Sequence, residues 1–118
     1  MKLIIALFAL MIPLSASAEM AQVVDAKLTK SGMVWRIDVT VSHPDTGWDH
    51  YADGWEVLDT DGNRLGYRKL HHPHVEEQPF TRSLNNLELP DGTREIFVRA
   101  SDSEHGWSEQ RYRVEVEP

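Results

Sequence analysis

The chain has 118 residues, six histidines, no cysteine and a formal net charge of −7 at pH 7. An acidic surface repels nucleic acids and anionic membranes, so we exclude both as partners. The absence of cysteine excludes disulfides, thiolate metal sites and cysteine nucleophiles, which leaves His, Asp and Glu as the possible metal ligands. A domain of this size has little room for a large catalytic cleft, and we expect a protein that is not an enzyme.

The N-terminus has the pattern of a secretory signal peptide. Lys2 precedes an apolar run from Leu3 to Leu14, and Ala16-Ser17-Ala18 fits a cleavage site. The run of about 12 residues is shorter than the roughly 20 that a membrane span needs. With no cysteine beside the cleavage site, we expect no lipid attachment there. We predict a cleaved signal over residues 1–18, one domain over residues 19–118, and a periplasmic or secreted protein that does not span the membrane.

Apolar and polar residues alternate along most of the remaining chain, which is typical of strands with one buried face. The clearest run places Met33, Trp35, Ile37, Val39 and Val41 on one face. Turn-forming dipeptides such as Asp61-Gly62 separate the runs, and no segment has a sustained helical period. The predicted strands, in chain order, cover residues 24–28, 33–41, 55–58, 64–70, 80–89, 95–100 and 111–117. Seven short antiparallel strands indicate an all-β, immunoglobulin-like β-sandwich.

Three segments of the C-terminal half carry a resemblance to a known family. They are Leu87-Glu88-Leu89-Pro90-Asp91-Gly92-Thr93, Phe97-Val98-Arg99-Ala100 and Gly106-Trp107-Ser108. In this order they resemble the turn, strand and loop that close a fibronectin type III domain, which implies that fold and no particular function. The chain departs from the family at Arg94, where a tyrosine is usual. The stretch from Trp48 to Leu84 also resembles small exported bacterial proteins of unassigned role.

All six histidines fall in three predicted loops, which cover residues 42–54, 71–79 and 101–109. The histidines are His43, His50, His71, His72, His74 and His105. If the chain is a fibronectin-type sandwich, these loops are B–C, C′–E and F–G, which meet at one end of that fold. The sequence then gathers every histidine at one pole.

The spacing within the second loop indicates a possible chelate. His72 and His74 point the same way if the segment is extended, and Pro73 favours that conformation. We expect His105 as a third ligand, and His43, His50 or a carboxylate as a fourth. The candidate carboxylates are Asp45, Asp49, Glu76 and Asp102. Such ligands suit one Zn(II), Cu(II) or Ni(II) ion, with an affinity that falls below about pH 6. The alternative is that these side chains only stabilise the loops through hydrogen bonds.

Aromatic side chains in the same loops support a second hypothesis. Trp48, Tyr51 and Trp107 could stack on sugars or anchor a protein partner. The sequence therefore leaves two functions open for a non-catalytic module. One is metal binding, and the other is protein or glycan binding without a metal.

Overall fold

The computed structural model describes residues 20–117, which form eight strands and no helix. The strands are β1 Gln22–Ser31, β2 Val34–Ser42, β3 Ala52–Leu58, β4 Arg64–Lys69, β5 Phe80–Leu87, β6 Glu95–Asp102, β7 Gly106–Trp107 and β8 Tyr112–Glu115. The predicted signal peptide lies outside the described residues. Within residues 20–117 there is accordingly no helix with the length and apolar character needed to cross a membrane.

Two antiparallel sheets enclose one core. The first has the order β1-β2-β5, and the second has the order β4-β3-β6, with β6 also paired to β7 and β8. The inward rows of both sheets supply the core, as the period-two alternation predicts. Its members include Val23, Ile37, Val39, Val41, Trp55, Val57, Phe80, Leu87, Ile96, Val98, Ala100 and Val114. The all-β prediction is confirmed.

Two large apolar residues of the first hairpin are exposed. The register of β1 against β2 shifts between Val23 and Asp25, so Val24 is the extra residue of a β-bulge and is 47% exposed. Met33, predicted on the buried face, is 97% exposed because it lies in the two-residue turn between β1 and β2. Gly32 precedes it with φ 66°, a conformation that glycine adopts without strain.

The eighth strand, β7, lies within the predicted loop over residues 101–109, whereas β8 corresponds to the last predicted strand. Both β7 and β8 pair with β6, but the chain leaves β6 after Ser108, whose N–H donates to the Ala100 carbonyl. The Ser108 hydroxyl donates to the Ala21 carbonyl, and the Gln110 side chain bonds the backbone N–H and C=O of Val23. These contacts draw residues 108–110 toward the first sheet and interrupt the edge strand.

The strand registers bring three loops to one end of the core. Ala52 at the start of β3 pairs with Asp102 at the end of β6, and Gly54 pairs with Lys69 at the end of β4. Val41 near the end of β2 pairs with Phe80 at the start of β5. The β2–β3, β4–β5 and β6–β7 loops, residues 43–51, 70–79 and 103–105, therefore share one pole, which we call the histidine end.

Candidate metal centre

Two inward rows of the core end in polar side chains at the histidine end. On β2 the row of Ile37, Val39 and Val41 continues two residues later to His43, which is 1% exposed. On β6 the row of buried residues ends at Asp102, which is also 1% exposed. Because alternate residues of a strand face the same side, both polar groups are directed into the end of the core. Buried groups of this kind need polar partners.

His43 is fixed by a buried carboxylate. Its Nδ1 lies 2.5 Å from Asp45 Oδ1, and both side chains are fully buried. The other donors to Asp45 are backbone groups, from Ala52 to Oδ1 at 2.9 Å and from His74 to Oδ2 at 2.7 Å. Because a carboxylate accepts hydrogen bonds and does not donate them, the proton of this contact is assigned to the Nδ1 of His43. The lone pair of His43 is then on Nε2, which faces away from Asp45.

His50 directs its own Nε2 at the same point. This atom lies 3.2 Å from His43 Nε2 and 3.2 Å from Asp102 Oδ1. Its other ring nitrogen, Nδ1, lies 3.4 Å from Glu104 Oε2. A tight turn holds His50 here, since its N–H donates to the Gly47 carbonyl and its carbonyl accepts from Thr46. Each of the two histidines thus has a carboxylate beside Nδ1 and a nitrogen facing the other ring.

The two oxygens of Asp102 have different surroundings. Oδ1 accepts the backbone N–H groups of Glu104 at 2.9 Å and His105 at 2.7 Å, and it lies 3.1 Å from His105 Nδ1. Oδ2 is buried and has no hydrogen-bond partner among residues 20–117. Burial raises the pKa of the Asp102 carboxyl, but the hydrogen bonds from His105 and Glu104 outweigh it, and the pKa lies below its ordinary value. A charged oxygen is therefore buried without a hydrogen-bond donor from the described part of the chain.

These three side chains form a group with the geometry of a metal site. His43, His50 and Asp102 each offer one ligand atom, and the three atoms lie within 4.8 Å of one another. Ligand bonds of 2.0–2.1 Å in tetrahedral geometry place ligand atoms about 3.3 Å apart. The 3.2 Å separation of the two Nε2 atoms is close to that value. The carboxylates behind the histidines match the outer partners that orient metal-bound imidazoles.

His72 and His74, the chelating pair predicted from sequence, are outside this group. His74 is buried and stacks on Phe80, and its Nε2 faces the Arg82 guanidinium at 3.0 Å. Burial, Arg82 and His72 together lower the pKa of His74. The Arg82 guanidinium donates a hydrogen bond to His74 Nε2, so the lone pair that a metal ion would bind is already in use. His72 is exposed, its ring centroid lies 4.6 Å from that of His74, and its Nδ1 lies 3.1 Å from the Pro73 carbonyl oxygen.

The remaining predicted residues lie at the rim or away from the group. His105 is partly exposed and contacts Asp102, the carboxylate of the group. Trp48 is 67% exposed and meets Tyr51 edge-on, with ring centroids 5.5 Å apart. Trp107, the third predicted aromatic residue, instead contacts Tyr67. The guanidinium groups of Arg64 and Arg99 lie over the Trp107 ring. His71, Asp49 and Glu76 are exposed.

Sequence reasoning missed the roles of two carboxylates. Asp45 appeared only as a possible ligand, whereas it orients His43 and joins the β2–β3 and β4–β5 loops. Glu104 was not a candidate, although it faces His50 Nδ1. The period-two rows that end at His43 and Asp102 are a signal that could have selected both as inward-facing ligands. No signal in the sequence places Glu104 beside His50.

Comparison with curated proteins finds a relative in Halomicrobium mukohataei whose name is "Putative lipoprotein". It is 43% identical over 98 residues, which cover 82% of this chain and 48% of the relative. The chain thus spans about half the length of the curated relative that it matches. No family model matches the chain, and no solved structure matches it significantly.

Proposed function

We propose that this chain is an exported, non-catalytic module that binds one divalent transition-metal ion through His43, His50 and Asp102. The observation that carries the proposal is the buried, ionised Asp102, whose Oδ2 has no hydrogen-bond partner among residues 20–117, beside two convergent imidazole nitrogens. In most proteins such an oxygen has a hydrogen-bond donor or an ion. A divalent cation would neutralise it and satisfy both histidines at once.

The tautomers of the two histidines are compatible with binding. Only one of two facing Nε2 atoms can carry a proton in their mutual hydrogen bond. If the His50 proton moves to Nδ1, it faces Glu104 Oε2, and the Nε2 of His50 then carries a lone pair, as the Nε2 of His43 does in the tautomer assigned above. His43 carries its proton on Nδ1, which is directed at Asp45 Oδ1. Nitrogen and oxygen ligands of this kind suit Zn(II), Cu(II) or Ni(II), and the chain offers no thiolate that would favour softer ions.

We also propose that the two-sheet fold that presents the site is a fibronectin type III-like β-sandwich. The order β1-β2-β5 in one sheet and β4-β3-β6-β8 in the other is compatible with this proposal. The three histidine-bearing loops then correspond to the B–C, C′–E and F–G loops. The predicted signal over residues 1–18 and the lipoprotein name of the relative both support export to the periplasm or the exterior.

A titration of tag-free protein with Zn(II), Cu(II) and Ni(II) by equilibrium dialysis tests the proposal. We expect one tightly bound ion per chain, and its loss in Asp102→Asn. That variant retains an acceptor oxygen for the N–H groups of Glu104 and His105 and replaces the orphaned oxygen with an amide. His72→Asn is the matched control and should bind like wild type. Equal binding by wild type and Asp102→Asn would contradict the proposal.

The exposed Trp48–Tyr51 pair favours a second function, binding of a protein or glycan partner. Trp48 is 67% exposed, and large exposed aromatic side chains are enriched where proteins meet partners. A glycan array and pull-down with wild type and Trp48→Ala test this function. Capture that persists unchanged in Trp48→Ala would contradict it.

A further inference from the structure

The three proposed ligands leave one position of a tetrahedral ion unfilled, and His105 is the nearest candidate to fill it. Its Nδ1, however, lies 3.1 Å from Asp102 Oδ1, the oxygen that also accepts two backbone N–H groups. His105 therefore holds the carboxylate in place, and it is not one of the three residues whose ligand atoms converge. Closed structural sites have four protein ligands, whereas sites that exchange ligands keep one position open.

One side of the group is open to solvent. The side chains of His43, Asp45 and Asp102 are fully buried, whereas those of His50 and His105 are 14% and 31% exposed. Glu104, behind His50, is 59% exposed. An outside ligand can reach the ion only where the group meets solvent, which is between His50 and His105. The exposed indole of Trp48 belongs to the same loop as His50.

The charge around the group selects the kind of ligand. Asp102 is a ligand, and Asp45 and Glu104 lie directly behind the two histidines. Three carboxylates outweigh the charge of a divalent ion, so an additional anion would be repelled at short range. A neutral nitrogen donor meets no such repulsion, and imidazole nitrogen suits Zn(II), Cu(II) and Ni(II).

We propose that the ion keeps a fourth coordination position, open between His50 and His105, that takes a neutral nitrogen donor of the imidazole class. This inference rests on the metal site proposed above. Such a position allows the ion to be shared with, or passed to, a second molecule by ligand exchange, without unfolding of the histidine end. His105 is a positioning residue for Asp102 in this arrangement.

Cobalt(II) is a suitable probe because its visible absorption reports changes in coordination. The mature protein is loaded with one Co(II) per chain and titrated separately with imidazole and with azide, and dialysis confirms that the cobalt remains bound. We expect imidazole to change the spectrum with saturation at one equivalent per ion, and azide to bind at least tenfold more weakly. A blocked tripeptide with one histidine separates the two sources of such a donor. A response to it indicates a histidine of another chain, and a response to imidazole alone indicates a small molecule.

The outcomes separate this inference from the metal site itself. If the protein binds cobalt and neither imidazole nor azide changes the spectrum, the fourth position is closed and the inference is wrong, while the metal site stands. Tighter binding of azide than of imidazole would overturn the donor class. If the protein binds no cobalt, the proposed function fails. His105→Gln should bind cobalt more weakly, because His105 positions Asp102, but its spectrum should keep the intensity of a site with both imidazole ligands. A spectral change equal to the loss of an imidazole ligand would also overturn the inference.

Discussion

Two pairs of histidines lie at the histidine end, and they differ in the charge that faces them. His43 and His50 have carboxylates behind their Nδ1 atoms and face each other through Nε2. His74 faces a guanidinium through Nε2 and stacks on Phe80, with His72 beside it in solvent. The same residue type therefore belongs to the proposed metal site in one pair and packs against an aromatic ring in the other. The decisive feature is which atom of the ring meets an anion and which meets a cation.

Metal-dependent stabilisation should separate the two pairs by the largest margin. At a free ion concentration one hundred times Kd, a ligand that binds only the folded state adds about 2.7 kcal/mol to the free energy of unfolding. We expect this gain, measured by urea unfolding, in wild type and in His72→Asn. His50→Asn should show none, because it removes one of three ligands. A full gain in His50→Asn would place the ion elsewhere.

The two carboxylates behind the ligands should differ in importance. Asp45 is fully buried and accepts three N–H groups, whereas Glu104 is 59% exposed and lies 3.4 Å from its histidine. We expect Asp45→Asn to weaken metal affinity by about 10–100-fold, the usual effect of losing such a partner. Glu104→Gln should weaken it by less than about threefold because solvent screens the exposed group. Competition against a chelator of known affinity measures both, and equal losses would contradict the asymmetry.

Protonation of His74 should affect how the free energy of unfolding of the metal-free protein depends on pH. The pKa of His74 in the folded state is below its ordinary value of 6.5, so the unfolded chain takes up the proton first as the pH falls. The contribution of His74 is therefore absent above that value and destabilising below it. One proton changes the free energy of unfolding by at most about 1.4 kcal/mol per pH unit.

His74→Gln keeps an acceptor for Arg82 and removes the titration. Urea unfolding between pH 7.5 and pH 5.5 should show a shallower loss of stability in this variant than in wild type. The exposed His71→Gln serves as the control and should retain the wild-type slope. A slope in His74→Gln that matches wild type would show that burial beside Arg82 does not govern this titration.

We expect the smallest effect on stability and metal affinity from a substitution of Trp48. This residue lies at the histidine end, for which both metal binding and partner binding are proposed. Its side chain is 67% exposed and contacts Tyr51. Trp48→Ala should change the free energy of unfolding by no more than about 0.5 kcal/mol and leave metal affinity unchanged. Calorimetric titration with Zn(II) checks the affinity. A metal affinity that falls tenfold would show that the aromatic pair belongs to the metal centre.

The sequence predicts the strands and the grouping of the histidines better than the ligand set. Alternating runs such as Ile37 to Val41 identify inward rows, because burial on one face of a strand imposes period two. Turn residues mark the loops between them. Val24 is exposed because of a bulge, and Met33 is exposed because of a tight turn. Neither feature alters the alternating pattern of apolar and polar residues, so the pattern does not reveal them.

The proposed ligand set depends on contacts between distant parts of the chain. The sequence indicates His72 and His74 as a chelating pair because they are two residues apart. In the structure, however, Arg82 on β5 donates to His74 Nε2, the nitrogen that a metal ion would use. His43, His50 and Asp102 meet only after the two sheets pack and three loops converge. The signal that does exist for them is the continuation of two apolar rows into polar residues. The pairing of Asp45 with His74 across two loops has no local signature.

The most direct test of the metal centre is an anomalous difference map at the zinc edge from crystals of the zinc-loaded protein. We predict one peak per chain, about 2.0–2.2 Å from the Nε2 atoms of His43 and His50 and from an oxygen of Asp102. A peak held by His72 or His74, or no peak at the histidine end in crystals grown with excess zinc, would contradict the account.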